Sequence, residues 1–394
     1  MSDPIRVLHV IDQLSGGGAE VSLVEYLSNA AADERVTHEL IALNGRAETV
    51  EVARLLPWEV TVAPPGRRPR PSDVRYVRDG IARFRPDLVH CTLVRSTFAT
   101  SAALRGLDLP MLVSLTSVHY DVEDAAGSLK QRLGLRLSHT IHGALLRRSR
   151  VRFHAVSQPV ADKAVEVFGL DPARISVIPR GRPDPRLRLT VTREEVRRRL
   201  SIPLDAPVII TVAREHLIKN HLALLEAADM LRRDMPGLRV VLVGGASTGS
   251  GVIDQAIREK SLGDAVLRLG HRDDVPDLLG ASDLFVSTSI SEGLPGAILE
   301  AIGIGLPVVA FDVAGVSDVL EVGHPGLVPF GDVDGLARRI GETLADPGRR
   351  ADLGSANRAR FEESFEIGGY VRRVGDLYST LAPDRRKAAD HVPD

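Results

Sequence analysis

The amino-acid sequence predicts an α/β protein made of two doubly wound, parallel-sheet halves that face each other across a cleft. Short β-branched or leucine-rich runs alternate with longer amphipathic stretches, which is the pattern of βαβ units and a parallel sheet. The alternation occurs twice, on either side of a charged, proline-rich gap, and 394 residues suffice for two cores. The first set of runs is RVLHVID, HELIALN, DLVHCTL, MLVSLTS, RFHAVSQ and ISVIPR. The second is PVIITVA, RVVLVGG, AVLRLGH, LFVSTS, PVVAFD and GLVPF. Between them, GRPDPRLRLTVTREEVRRRLSIPLDAP holds a charged helix but no apolar strand, so it reads as a linker and entry helix with the boundary near Pro183. The domains expected are therefore 1–183 and 184–364, followed by a helix over 365–382. The charged RRKAADHVPD, poor in apolar residues, reads as a frayed tail over 383–394.

Composition narrows the class. Hydrophobic content of 44% with 26% charged residues is that of an ordinary soluble globular chain. A net charge of −2 argues against wholesale nucleic-acid binding. The single cysteine, Cys91, excludes an internal disulfide framework and any cysteine-based zinc site, which suits a reducing cytoplasm. The N-terminus runs straight into the strand-like VLHVI without the basic-then-apolar pattern of a signal peptide, and no apolar run reaches transmembrane length. The expected location is cytoplasmic, with a peripheral position at the inner face of the membrane left open.

The stretch SEGLPGAILEAIGIGLPVVA sets Glu292 and Glu300 eight positions apart in otherwise apolar sequence. Pro295 suits the first turn of a helix, Gly303 and Gly305 suit its end, and Pro307–Phe311 reads as a buried strand. Glu292 then lies in the loop before the helix, next to amides around Gly293 to Gly296 that have no intrahelical partner. Glu300 lies inside the helix among Ile298, Leu299, Ala301 and Ile302, where an unpaired buried carboxylate costs several kcal/mol, so it faces a polar ligand or a cleft. On residues alone, a helix-dipole glutamate plus a solvated one explains the pair equally well.

Three further constellations stand at the ends of expected strands, where such folds bind ligands. In DQLSGGGAE, Gly16, Gly17 and Gly18 permit close approach of a ligand, and a helix starting near Ala19 offers free amides to an anion; a tight βα turn is the alternative. The turn lacks G-x-G-x-x-G spacing, which counts against a dehydrogenase. In TSVHYD, His119 follows a strand and points either into the cleft or into the structure around it. In AREHLIKNH, Arg214 and Lys219 flank a turn that enters a helix, as a phosphate clamp or as two solvated cations. Arg272 begins a loop after AVLRLG on the same side. The D-x-D triplet in GDVDG reads as a helix N-cap with a dipole-favouring acid rather than a metal site, and no obligatory metal is expected.

Taken together, EGLPGAILEA, AREHLIKN, SGGGAE, VHY and GLPVVAFDVAGVSDVL resemble, in order and over nearly the whole chain, the retaining glycosyltransferases of family four, which have the GT-B fold. EGLPGAILEA resembles that family's E-x7-E signature, and AREHLIKN its Arg-to-Lys clamp, with Glu215 in place of a usual leucine. The resemblance implies an N-terminal acceptor-binding and a C-terminal nucleotide-sugar-binding Rossmann-like domain, with the last helix crossing back to the first. It implies that Arg214 and Lys219 hold the diphosphate and that Glu292 binds donor-sugar hydroxyls. Gly293, Leu294, Pro295 and Gly296 would contact sugar and phosphate, and Glu300 the ribose hydroxyls. Arg272 would border the base, His119 would position the sugar, and Gly17 and Gly18 would pack against the diphosphate.

The implied reaction transfers a hexose or N-acetylhexosamine from a nucleotide-diphosphate sugar, UDP by default and GDP as an option. The acceptor would be a saccharide, a lipid-linked molecule or a small molecule, with no cofactor, no metal and no nucleic-acid partner. The alternatives are an inactive GT-B sugar-nucleotide binder and, on the strength of VLVGGASTG, a dinucleotide-dependent oxidoreductase. There are departures from the family pattern. IPRGRPD has Arg180 and Arg182 where Pro-Asn-Gly and an apolar residue are usual, Asp318 replaces a glutamate, and GHPG replaces a more polar turn.

One segment bears on the acceptor. Between Ala125 and Arg152 there is no acidic residue, while Lys130, Arg132, Arg136, Arg147, Arg148, Arg150 and Arg152 are present. Leu129, Leu133, Leu137, Ile141 and Leu145 recur every four residues, so the segment reads as a helix with a leucine stripe and basic flanks. It packs on its own sheet, receives an anionic acceptor, or associates weakly with anionic membrane through residues 125–152.

Overall fold

The computed structural model describes residues 3–14, 16–66, 69–117, 142–147 and 150–382. They divide into two compact units, one reaching from the N-terminus to Gly181 and resuming at Ile367, the other spanning Arg182–Glu366.

The first unit carries strands β1 (Ile5–Ile11), β2 (Val36–Ala42), β3 (Glu59–Val62), β4 (Leu88–Thr92), β5 (Met111–Leu115), β6 (Val151–Ala155) and β7 (Ile175–Val177). They form one parallel sheet in the order β3-β2-β1-β4-β5-β6-β7. Every apolar run expected for this half forms a strand. β3 is an addition that the sequence pattern does not reveal. It is four residues long, lies at the sheet edge and is only partly buried, so it needs no apolar run.

The helix Ile367–Leu381 belongs to this unit and packs against the helix Gly18–Ala30, with Leu23, Tyr26, Leu27, Tyr370, Val374 and Tyr378 in one buried cluster. Arg35 pairs with Asp376 at 2.7 Å and ties the same helix at the surface.

The second unit carries β8 (Val208–Val212), β9 (Arg239–Val243), β10 (Val266–Gly270), β11 (Leu284–Ser287), β12 (Val308–Asp312) and β13 (Leu327–Pro329). Its parallel sheet has the order β10-β9-β8-β11-β12-β13, each strand arising from one of the apolar runs expected. The charged entry helix is Arg193–Arg199, capped by Thr192, whose side chain accepts from the amide of Glu195. Its Arg197 is fully buried and still satisfied, donating to the carbonyls of Ala281, Leu204 and Ala206 and to Asp283. In GDVDG, Asp332 caps the helix Val333–Ala345 by accepting from the amide of Gly335 at 2.8 Å, as the capping reading requires. Among the described residues no helix is long and apolar enough to cross a membrane.

Four histidines lie buried in the first sheet: His9 on β1, His38 on β2, His90 on β4 and His154 on β6. His9 Nε2 and His38 Nδ1 are 3.0 Å apart, and His90 bridges the Tyr378 hydroxyl (2.7 Å) and Ser114 Oγ (2.8 Å). Burial lowers all four pKa values, His38 to about 3 and His154 to about 4, and neighbouring histidines push His9 and His90 the same way. The unfolded chain therefore takes up protons near pH 6.5 while the native protein does not, so stability is present above that pH and is lost below it. Asp12, whose carboxyl burial lifts to about 6, and Glu39, which burial also raises, pull the other way, two carboxyls against four histidines. The first unit should lose about 1.4 kcal/mol per pH unit for each histidine as pH falls below 6. Scanning calorimetry between pH 7.5 and 5 should show its transition moving down in temperature; a transition that stays put would contradict the neutral-histidine core.

Candidate active site

Because all strands of the second sheet are parallel, the loops that follow them leave from one edge. Strand order reverses between β8 and β11, so the loops after these two strands flank the point where a ligand can enter between them. The loop after β8 contains Arg214 and a short 3-10 turn, Leu217–Lys219; the loop after β11 contains Thr288 to Pro295. Three bonds tie them together. Ile290 N donates to Ile218 O at 2.9 Å, Thr288 Oγ1 donates to Lys219 O at 3.1 Å, and Lys219 Nζ meets Glu292 Oε1 at 2.6 Å. Ser289 Oγ donates to the same carboxylate oxygen at 2.7 Å. Lys219 and Glu292 are thus one partly buried ion pair, whereas the sequence suggested separate roles for them. Arg214 is exposed, and among the described residues its guanidinium has no ion-pair partner.

The helix after this loop runs Gly296–Ile304, with Pro295 as its N-cap residue and Gly305 at its end in the left-handed region (φ 86°). Gly303, expected as a stop, is instead inside the helix, where Pro185 and Phe361 press against it too closely for a side chain. Glu300 is largely covered, with its side chain 23% exposed and its Oε1 3.6 Å from Arg182 Nε. Burial raises its pKa, and the charges of Arg182 and Arg188 oppose that rise.

Arg272, after β10, is half-exposed and held by Asp274 at 2.8 and 2.5 Å. Glu215 is buried and bonded through both oxygens to Arg268 on β10 at 2.8 and 2.6 Å, with Asp254 on the far side of that guanidinium. The replacement of a leucine by Glu215 was a visible signal; its partner Arg268 lies 53 residues away and carried none.

In the first unit, Gly17 is the N-cap residue of the helix that begins at Gly18, one residue earlier than expected. Arg180 Nη1 donates to Gly18 O and to Ser22 Oγ, both at 3.0 Å, and so holds that turn. Strand order also reverses between β1 and β4, where Asp12 accepts from the amides of Arg95 (3.3 Å) and Ser96 (2.7 Å). Leu93, just before them, has φ 80°, a strained conformation for a leucine that no local sequence pattern discloses. His119 lies outside the described residues, as do Lys130, Arg132, Arg136 and Arg148 of the basic segment. Of the rest, Arg147 donates to Phe168 O at 2.9 Å, Arg150 pairs with Asp108 at 2.8 Å, and Arg152 stands on β6.

Residues 16–184 match the family described as Glycosyltransferase Family 4, and residues 192–360 match the family described as Glycosyl transferases group 1. The chain belongs to glycosyltransferase family four. Among curated relatives of this transferase is the UDP-Gal:alpha-D-GlcNAc-diphosphoundecaprenol alpha-1,3-galactosyltransferase of Escherichia coli. It is 25% identical over 304 residues, which is 76% of either chain. Another is the 2-deoxystreptamine N-acetyl-D-glucosaminyltransferase of Streptomyces fradiae, 30% identical over 280 residues. That match takes in 68% of this chain and 64%, somewhat under two thirds, of the relative. Anabaena HepE, solved in complex with UDP-glucose, superposes with a TM-score of 0.80 at 21% identity, over 95% of this chain and all of its own. The fold of this glycosyltransferase is GT-B, built from two Rossmann-like domains.

One glycine governs the Glu292 loop. A Cβ at Gly315 would come within 2.5 Å of Glu292 O and 2.7 Å of Gly293 O, and its φ of 82° disfavours any side chain. Gly315→Ala should therefore destabilise the protein by about 2 kcal/mol or more, from strained backbone and overlap together. Urea unfolding gives the measurement, and a change below about 0.5 kcal/mol would show that the loop is not packed as described.

Proposed function

We propose that this glycosyltransferase moves a hexose or N-acetylhexosamine from a nucleotide-diphosphate sugar to an acceptor, with retention of anomeric configuration and without a metal ion. The observation that carries this reading is the Lys219–Glu292 pair at the strand-order reversal of the second unit, with Arg214 on the same loop. Cleavage of the anomeric C–O bond leaves negative charge on the departing diphosphate. Lys219 and Arg214 supply two cations for that charge, one a point charge and one a fork, and this is the work a metal ion performs elsewhere. Glu292, beside Lys219, accepts hydrogen bonds from hydroxyls of the transferred sugar. The amides from Gly293 to Gly296, at the start of a helix, favour the anionic end of the donor. Glu300 accepts from the ribose, and Arg272 borders the base.

UDP is the first candidate for the nucleotide, because HepE was solved with UDP-glucose and the E. coli relative is named for a UDP-sugar. The second unit would hold the donor and the first the acceptor, a saccharide, a lipid-linked molecule or a small molecule, with His119 placing the sugar.

Donors aimed at developing charge are worth about 3 kcal/mol each, or roughly a hundredfold in rate. Lys219→Ala should fold and lose about that factor in turnover at saturating donor; unchanged turnover would remove Lys219 from the clamp. Turnover should also survive a chelator in excess. If chelation abolishes activity and magnesium or manganese restores it, the two side chains are not the charge that stabilises the leaving group.

A further inference from the structure

Arg182 has no part in the reaction described so far, yet it is 3% exposed and stands at the edge of the donor helix. Its backbone is fixed, since the amide donates to Phe365 O at 2.8 Å and the residue bridges to Glu366. Its side chain is aimed. Nε lies 3.6 Å from Glu300 Oε1, and Nη2 lies where a side chain at Gly296 would stand, 2.3 Å from the position of a Cβ there. The guanidinium therefore spans the first turn of the helix, from Gly296 down to Glu300. A cation at a helix N-terminus opposes the helix dipole, so helix stability does not account for its presence. Among the groups it stands beside is the one carboxylate of that helix, Glu300.

We propose that Arg182 is a positioning residue that orients the Glu300 carboxylate to accept hydrogen bonds from the paired hydroxyls of the nucleotide's ribose. The inference rests on the donor reading given above and deepens it. A carboxylate can accept from two adjacent hydroxyls only while ionised, because the neutral acid turns one oxygen into a donor. Burial of Glu300 favours the neutral acid, and Arg182 is the largest opposing charge, with Arg188 second. In this chain Arg182 stands where the family pattern usually has an apolar residue, so the carboxylate on the helix is paired from the linker.

The test is calorimetry of UDP and of 2′,3′-dideoxy-UDP with wild type, Arg182→Met, Arg182→Lys and Glu300→Gln. Arg182→Met should weaken UDP on the order of tenfold and leave the dideoxy nucleotide within about twofold, because only the first has hydroxyls to present. Arg182→Lys should recover part of the loss, and Arg182→Met added to Glu300→Gln should cost nothing further. Equal weakening of both nucleotides, or an additive loss in the double variant, would overturn the proposal by making Arg182 a general structural or phosphate-facing residue. No weakening at all would overturn it too. If Arg182→Met does not fold, Arg182→Lys carries the comparison and must show the same ribose-confined loss, smaller in size. A wild type that fails to prefer UDP over its dideoxy analogue would refute the ribose role of Glu300. One that binds none of UDP, GDP and ADP would refute the donor reading itself.

Discussion

The candidate site of the second unit depends on the reversal of strand order between β8 and β11. The chain builds outward from β8 through β9 to β10, then returns to lay β11 on the other side of β8. Helices connecting parallel neighbours cover the sheet faces, and only at the reversal do two carboxyl-end loops lie side by side with nothing between them. The three bonds between the loops, from Ile290, Thr288 and Lys219, make them one surface. That surface places a cation, a carboxylate and the first amides of the helix Gly296–Ile304 within one loop pair. Gly315 keeps it compact by letting the next loop touch the carbonyls of Glu292 and Gly293.

Charge burial follows from this arrangement. Lys219–Glu292, Arg182–Glu300 and Arg268–Glu215 are all partly or largely removed from water, and each sets an opposite charge against the one it covers. Such pairs contribute little net stability, because desolvation consumes most of the attraction. Removing one member is costly all the same, since it strands the other. These three pairs are therefore not to be counted as a source of stability.

The first unit uses polar burial differently. Asp12 closes its own strand-order reversal by capping the amides of Arg95 and Ser96, and Arg180 straps the glycine-rich turn through Gly18 and Ser22. Beneath the helix Ile367–Leu381, neutral histidines and tyrosines pack beside the aliphatic side chains, with Tyr378 joined to His90. Each buried polar atom that is paired restricts the geometry more than an aliphatic contact would, because hydrogen bonds have direction and methyl contacts do not. The last helix is thus attached to this sheet by a specific bond as well as by area.

Sequence by itself determined the strands and their class. A buried parallel strand must be an apolar run, so twelve of the thirteen strands among the described residues announced themselves; β3, short, partly buried and at a sheet edge, did not. It also determined the helix from Pro295 to Gly305 and the cap at Asp332, because φ preferences and capping act within a few residues. The residue types of the candidate site were visible for the same reason, as charges and glycines standing where strands end. Tertiary structure alone decided which of them meet. Lys219 reaches Glu292 across 73 residues and Arg268 reaches Glu215 across 53, while Arg182 turns from a linker residue into a neighbour of Glu300. Those pairings depend on strand order and loop path, which local periodicity does not encode. The strain at Leu93 and the close approach at Gly315 likewise exist only once separate segments have been packed against each other.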